Sequence, residues 1–143
     1  MSQENIEVVR AAYDAVNRGD LDAAISNIAP EMEYVASGAV PGATGIYVGA
    51  EGVKRFIAAL WEEFDDARAD VTELIAADDK VVVSATARGR GKLSGAEARW
   101  NTWQLWTLRH GKLVRGQGFT SREGALQAAG LGASAAPDSP PSA

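Results

Sequence analysis

Residues 53–64 read VKRFIAALWEEF, and this stretch, together with the change of pattern that follows it, decides the fold. Its apolar residues recur at three- and four-residue spacing, which is typical of one face of an α-helix. Beyond it, strand-like segments are separated by the turn residues Asp78-Asp79 and His110-Gly111. The pattern therefore predicts a helix followed by four antiparallel strands at Ala67–Ala77, Lys80–Gly89, Glu97–Arg109 and Lys112–Phe119.

The N-terminal part predicts two further helices. Apolar residues at helical spacing begin at Ile6, and Gly19 follows where a left-handed C-cap is favoured. Asp20 is suited to N-cap a second, shorter helix that ends at Pro30. The elements expected next are a strand at Met32–Ala36 and a glycine-rich loop at Ser37–Gly49.

The C-terminal part predicts one short helix and a tail. Ser121 is suited to N-cap a helix that ends near Ala129. Residues 132–143 are rich in alanine, serine and proline, so they cannot bury a core and are predicted to be disordered. We therefore expect one domain at residues 1–131 and a disordered tail at 132–143.

Length and composition exclude several classes of protein. The 143 residues have the length of one domain, with a net charge of −5, no cysteine and one histidine. Thiol nucleophiles, iron–sulfur clusters and multi-histidine metal sites are thereby excluded. The acidity argues against nucleic acid, and no apolar run approaches the ~20 residues of a membrane span. We expect a cytoplasmic protein with no metal, no cofactor and no membrane or nucleic-acid partner.

The order of elements indicates the α+β class, because long hairpins lie beside helices. We expect a curved mixed or antiparallel sheet wrapped around three N-terminal helices, with a short C-terminal helix. Such a sheet leaves an open cone, which is a common place for a small apolar ligand.

Three motifs carry a resemblance to a known superfamily. They are VNRGDLDA at 16–23, YVGAEGV at 47–53 and WTLRHGKLV at 106–114. Over about residues 3–131 the chain resembles the nuclear-transport-factor-two-like superfamily, and most closely its SnoaL-like branch. That branch includes polyketide cyclases and is similar to ketosteroid isomerases and limonene epoxide hydrolases. The resemblance implies a cystatin-like roll.

The resemblance also implies positions for catalytic acids, and other residue types occupy them in this chain. The general base of ketosteroid isomerases falls at Ala36, and their protonated aspartate falls near Trp103. The charged pair of epoxide hydrolases falls at Ala85 and Ala87. Their remaining aspartate, and the acidic residue of SnoaL-type cyclases, fall at Gln117. A glutamine can hydrogen-bond a carbonyl group but cannot accept a proton at pH 7.

Two functions are compatible with these residues. The first is a SnoaL-like enzyme of isomerase, cyclase or hydrolase type that acts on a hydrophobic, carbonyl-bearing or polycyclic compound without the usual aspartates. The second is a non-catalytic binding or accessory protein that kept the cone and lost the acids. An ionisable group in the pocket would distinguish them.

Strand alternation predicts which side chains face the cone. Gln117 lies between Gly116 and Gly118, and two glycines weaken a strand unless another group approaches its backbone. The catalytic candidates are Gln117, Asn101 and Tyr34. The alternative is that the aromatic residues only fill the core. The predicted ligand-binding residues are Tyr34, Trp61, Phe64, Trp103, Gln117 and Phe119.

The same alternation predicts a contact surface. Trp100, Gln104 and Trp106 would lie on the outer face of the sheet, and large aromatic residues on an exposed face are typical of protein contacts. The resemblance also implies pairing through this face. We therefore expect a homodimer that uses Trp100, Gln104 and Trp106, with a small hydrophobic molecule as the other partner.

Overall fold

The computed structural model describes residues 2–37 and 44–131, which fold into an open six-stranded sheet with four helices. The predicted α+β class is confirmed. The predicted tail at 132–143 lies outside the described residues. The helices are α1 (Ser2–Asn17), α2 (Leu21–Ala24), α3 (Gly49–Glu63) and α4 (Arg122–Ala128). The strands are β1 (Ile28–Ser37), β2 (Thr44–Val48), β3 (Phe64–Ala77), β4 (Lys80–Gly91), β5 (Glu97–Arg109) and β6 (Lys112–Phe119).

The sheet has the strand order β2-β1-β6-β5-β4-β3. β1 pairs with β6 in parallel, and every other neighbouring pair is antiparallel. The four antiparallel strands predicted after the third helix are confirmed. Their turns contain Asp78 and His110 with positive φ angles of 56° and 52°, as tight hairpins require.

The prediction of three N-terminal helices inside the sheet is not confirmed. α2 is a single turn of four residues, and the strands β1 and β2 separate it from α3. α1 and α3 cover one face of the sheet, called here the inner face, and α4 packs on the opposite, outer face. Within the described ranges, no helix has the length and apolar character needed to cross a membrane.

β2 lies where the sequence predicted only a loop. Its residues pair with β1 from Glu33, opposite Val48, to Ser37, opposite Thr44. The glycines in and around β2 lower its local strand propensity. The strand forms because it pairs with β1, which its own residues do not reveal. Residues 38–43 of the predicted loop lie outside the described ranges. Pro30 does not end α2 but lies within β1, at an irregularity of the β1–β6 pairing where a missing N–H is tolerated.

β4 is buried on both faces of the sheet. Val81 and Val83 contribute to the large core beneath α1 and α3, whereas Val82 contributes to a smaller core beneath α4. All three side chains are 1% exposed or less. A strand covered on both faces has a continuous rather than an alternating apolar pattern.

An ion pair joins α4 to the sheet. Ser121 caps the helix as predicted, by accepting a hydrogen bond from the backbone N–H of Gly124 at 3.0 Å. Arg122 then donates from Nε to Glu73 Oε1 on β3 at 2.8 Å, and the Ser84 hydroxyl donates to the same oxygen at 3.0 Å. The Arg122 guanidinium holds the pKa of the Glu73 carboxyl below its usual range.

Replacing Glu73 with glutamine should therefore lower the free energy of unfolding by about 1 kcal/mol at pH 7, since the pair is partly exposed to solvent. A carboxyl with a lowered pKa stabilises the fold above its unfolded pKa and loses that effect as the pH falls through its folded pKa. The difference between the parent and Glu73→Gln should thus vanish in urea titrations at strongly acidic pH. Glu97→Gln, which removes a pair whose carboxylate side chain is 84% exposed, is the control and should change stability by less than about 0.5 kcal/mol.

Candidate functional site

A partly open cavity of about 130 Å³ lies between the inner face of the sheet and the helices α1 and α3. Its wall is mostly apolar, and among its described lining residues there is no aspartate, glutamate or histidine. The half-exposed Arg68 and Arg88 also line it, and both form ion pairs with Asp70, at 3.2 and 3.0 Å. The aromatic residues of the lining are Tyr13, Tyr34, Phe56, Trp61, Trp100 and Trp106.

The face of β5 that points into the cavity is the one that strand alternation predicted to lie on the outside of the sheet. Trp100, Thr102, Gln104 and Trp106 all line the cavity. The prediction that Trp100, Gln104 and Trp106 form an outer contact face is therefore wrong, and the dimer surface built from them is withdrawn. A slip of one residue in register exchanges the two faces of a strand, which is the physical reason for the error. The homodimer itself stays a prediction.

The side chains predicted to face the cavity from β5 and β6 lie on the outer face instead. Trp103 is opposite Phe119, and Leu105 is opposite Gln117. Trp103 and Phe119 pack against the core beneath α4, and Asn101 accepts a hydrogen bond from the Thr86 hydroxyl at 3.2 Å. The prediction that Asn101, Trp103, Gln117 and Phe119 face the cavity is wrong for the same reason of register.

The remaining predicted ligand-binding residues lie in the cavity or beside it. Tyr34 and Trp61 belong to the lining. Phe64 does not, but its ring centroid is 5.3 Å from that of Trp100, and it borders a separate cleft that Trp61 shares. Contact of these residues with a ligand stays a prediction.

The positions that the resemblance assigns to catalytic acids contain no acid. Ala36, Ala85 and Ala87 are buried, with exposures of 8%, 3% and 7%. Trp103 and Gln117 lie on the outer face. Any chemistry in the cavity must therefore come from other polar groups.

Four side chains from α1, β1 and β5, two of them buried and two partly buried, form a hydrogen-bonded network in the cavity wall. Trp106 donates from Nε1 to Tyr13 Oη at 3.1 Å, and the Tyr13 hydroxyl donates to Gln104 Oε1. Gln104 in turn donates from Nε2 to Tyr34 Oη at 2.8 Å. Gln104 connects the two tyrosines and is itself only 8% exposed.

The network is electrically neutral. Burial raises the pKa of Tyr13 and of Tyr34 well above the usual phenol range, because the ionised form would lose its hydration. Hydrogen bonds from Trp106 and Gln104 offset only part of that effect. Both tyrosines therefore keep their protons at physiological pH and serve as donors rather than as bases.

Gly116 makes room for the aromatic floor of the cavity. It lies opposite Trp106, and a Cβ added to it would be 2.4 Å from Trp106 Cζ3 and 2.8 Å from Tyr34 Cδ1. The rings of Tyr34 and Trp106 stack with their centroids 5.4 Å apart. The expectation that another group approaches this glycine-rich strand is thus met by the Trp106 and Tyr34 rings.

One further donor in the wall is unpaired. The indole Nε1 of Trp100 is buried and has no hydrogen-bond partner among the described residues. A buried N–H without an acceptor is rare and costs stability, which makes it a candidate for contact with a ligand.

Sequence reasoning missed Tyr13, Gln104 and Trp106 as members of the site. The resemblance implies the oxyanion tyrosine of ketosteroid isomerases near Ala12, and helical spacing predicts Tyr13, one residue away, on another part of the helix face; the need of a buried hydroxyl group for a partner is the signal that points to Tyr13. Tryptophans occur on both faces of β5, so alternation alone did not separate them. The signal that was present is Gly116 on β6, because a glycine within a strand leaves room for a large ring on the neighbouring strand, here that of Trp106.

Solved structures share this fold over most of their length. TerC, crystallised with polyporic acid, is 28% identical with a TM-score of 0.72, covering 82% of this chain and 92% of its own. An NTF2-like protein from Burkholderia thailandensis E264 is 25% identical with a TM-score of 0.72, covering 80% and 88%. A protein with a ketosteroid isomerase-like fold from Catenulispora acidiphila DSM 44928, in complex with trimethylamine, is 21% identical with a TM-score of 0.71, covering 92% and 98%.

The family assignment comes from the sequence match. No curated protein matches the chain. The model of the SnoaL-like domain matches residues 9–116, which include most of α1, the whole of α3 and the strands that form the cavity wall. Since this match covers well over half of the sequence, the chain belongs to the SnoaL-like domain family.

Proposed function

We propose that this protein is a small-molecule enzyme of the SnoaL-like type, which acts on a hydrophobic compound that bears a carbonyl group. It would do so without a catalytic carboxylate and without a cofactor. The observation that carries the proposal is the apolar cavity whose buried polar groups, those of the Tyr13–Gln104–Tyr34 network and of Trp100, are all neutral.

The size of the cavity limits the part of a ligand that can be enclosed. A cavity of about 150 Å³ in another protein binds one benzene molecule. The cavity of about 130 Å³ described above is thus suited to one six-membered ring, and a polycyclic ligand would extend through its open side. The crystallisation of TerC with polyporic acid is in keeping with a ligand of this kind.

The buried polar groups of the wall are neutral, and they favour reactions that need carbonyl polarisation more than proton abstraction. Without a base, an enolisation would lose an acid–base contribution of roughly 10²–10⁴ in rate. A cyclisation whose nucleophile is an enol or hydroxyl group already present in the substrate needs no base from the protein. The new bond forms to the carbonyl carbon as its π bond breaks, and the proton of the nucleophile passes to the carbonyl oxygen. The protein then has to hold a reactive conformer and hydrogen-bond that oxygen as charge develops there. Among isomerase, cyclase and hydrolase chemistry, a cyclase-type reaction therefore suits this cavity best.

Non-catalytic binding is the second candidate. It is favoured by the lack of any carboxylate or imidazole among the described lining residues. A binding or accessory protein needs only the apolar wall and the donors, and both functions predict the same ligand class.

Filling the cavity should block ligand binding. Ala12 lines the cavity, whereas its neighbour Ala11 is exposed on the same helix. We expect Ala12→Phe to weaken the binding of neutral aromatic ketones at least about tenfold, equivalent to about 1.4 kcal/mol. Ala11→Phe is the matched control and should bind as the parent does. Tryptophan fluorescence reports the binding, because Trp61, Trp100 and Trp106 surround the cavity.

The same titrations separate the two candidate functions. Mass spectrometry of the mixtures would show a new product for an enzyme and unchanged ligand for a binding protein. If no aromatic or polycyclic ketone binds the parent, or if the two phenylalanine variants bind equally well, the cavity is not the functional site.

A further inference from the structure

The hydrogen bonds of this network all run in the same donor-to-acceptor direction. The Trp106 indole has only a donor hydrogen, so Tyr13 Oη must accept from it. The Tyr13 hydrogen then goes to Gln104 Oε1, and Gln104 Nε2 donates to Tyr34 Oη. Every bond of the chain Trp106–Tyr13–Gln104–Tyr34 therefore donates toward Tyr34.

The hydroxyl hydrogen of Tyr34 is the end of this chain. Tyr34 accepts from Gln104, but its own hydrogen has no acceptor among the described residues. The residue lines the cavity and is 2% exposed. Packing against Phe56, at a ring centroid distance of 5.0 Å, and stacking on Trp106 fix the ring in place. Because burial raises its pKa, Tyr34 retains this hydrogen.

We propose that Tyr34 is the hydrogen-bond donor to the ligand, and that the directed chain behind it selects ligands that present an acceptor oxygen, such as a carbonyl group. This inference rests on the proposed function, since it assumes that the cavity binds a ring compound. Its new content is the assignment of one donor and of the ligand's polarity. Tyr13 and Gln104 act as positioning residues, because they orient Tyr34 without contacting the ligand oxygen.

The preference for ligands with an acceptor oxygen follows from which hydrogens of the network already have an acceptor. A carbonyl oxygen near Tyr34 accepts the one hydroxyl hydrogen that the network leaves over. A ligand group that can only donate would meet a hydroxyl oxygen that already accepts from Gln104, in a wall of low polarity. Hydrogen bonds among buried groups also polarise one another, so a donor at the end of such a chain is strengthened by the bonds behind it.

Acetophenone and ethylbenzene are suitable probes, because they have similar shapes and only the first has an acceptor. We expect Tyr34→Phe to weaken acetophenone binding about tenfold and to leave ethylbenzene binding unchanged. Phenylalanine keeps the ring that packs on Phe56 and Trp106, so folding should be preserved. Tyr47→Phe is the matched control: Tyr47 lies opposite Tyr34 in the sheet, but its hydroxyl group makes no hydrogen bond to the described residues of the network, and both probes should bind the variant as they bind the parent.

Infrared spectroscopy gives a readout that a merely structural role would not change. The carbonyl stretch of isotope-labelled acetophenone should move to lower frequency on binding to the parent and to Tyr47→Phe. It should not move on binding to Tyr34→Phe at saturating protein.

Two results would overturn the inference while leaving the proposed function intact. One is equal affinity of the parent for both probes; the other is an unchanged carbonyl shift in Tyr34→Phe. Loss of the shift in Tyr13→Phe with its retention in Tyr34→Phe would reverse the direction of the chain and also overturn the assignment. Failure of both probes to bind the parent would contradict the proposed function and the inference together.

Discussion

Replacing Gln104 with leucine is expected to lower the free energy of unfolding by roughly 2–4 kcal/mol, since each buried polar group left unpaired costs about 1–3 kcal/mol. The substitution removes the acceptor of the Tyr13 hydroxyl and the donor to Tyr34 in one step. Tyr13 would keep only the hydrogen bond that it accepts from Trp106 Nε1. Urea denaturation of the variant and the parent measures the difference.

Two comparisons test whether the network is the cause. Gln117→Leu makes the same change on the neighbouring strand but on the outer face, and it should cost less than about 1 kcal/mol. The double variant Gln104→Leu/Tyr34→Phe should recover part of the loss, because it removes the stranded Tyr34 hydroxyl group and leaves Tyr13 to accept from Trp106. Equal effects of Gln104→Leu and Gln117→Leu would contradict a stabilising network.

Replacing Gly116 with alanine is expected to cost about 2–3 kcal/mol, at the upper end of ordinary overpacking. The new methyl group would lie 2.4 Å and 2.6 Å from two carbons of the Trp106 ring. The stacked rings of Trp106 and Tyr34 lie on one side of this strand, so one of them must move into the cavity. Ligand affinity should therefore fall together with stability.

Near-ultraviolet circular dichroism and urea denaturation would report both changes. Gly124→Ala is the control, because its new Cβ would lie 3.1 Å from the Ser121 hydroxyl oxygen and 3.5 Å from Phe119 Cδ2, much farther than the contacts at Gly116, and it lies in a helix, where alanine is favoured. A Gly116→Ala variant that is as stable as the parent would show that the aromatic floor can move freely.

The elements with one decisive local signal could be predicted from the sequence. The bounds of β5 and β6, the cap at Ser121 and the two tight turns follow from apolar pattern and turn chemistry, and the structure has them as expected. β2 could not be predicted in this way, because its pairing with β1 is not encoded in its own five residues. Its flanking glycines are typical of a loop.

The site was harder to predict than the fold. Tyr34 could be placed in the cavity because β1 has a single apolar alternation, Met32, Tyr34 and Ala36. β5 carries tryptophans at positions 100, 103 and 106, which fall on both faces, so the pattern fits two registers equally well. The assignment of the cavity to Trp103 and Gln117 depended on that register. It failed because Trp103 is needed on the outer face to cover the helix α4.

The parallel pairing of β1 with β6 determines when the site forms during folding. Ile28 and Leu113 are neighbours in the sheet but are far apart along the chain, and closing a long loop of this kind is entropically costly and slow. β6 also separates Tyr34 on β1 from Gln104 on β5, so these two residues have no fixed relation until β6 has docked between them. During synthesis from the N-terminus, β6 is the last of the six described strands to emerge. The hydrogen-bonded network should therefore be absent from partly folded or nascent chains, and its formation marks the completion of the sheet.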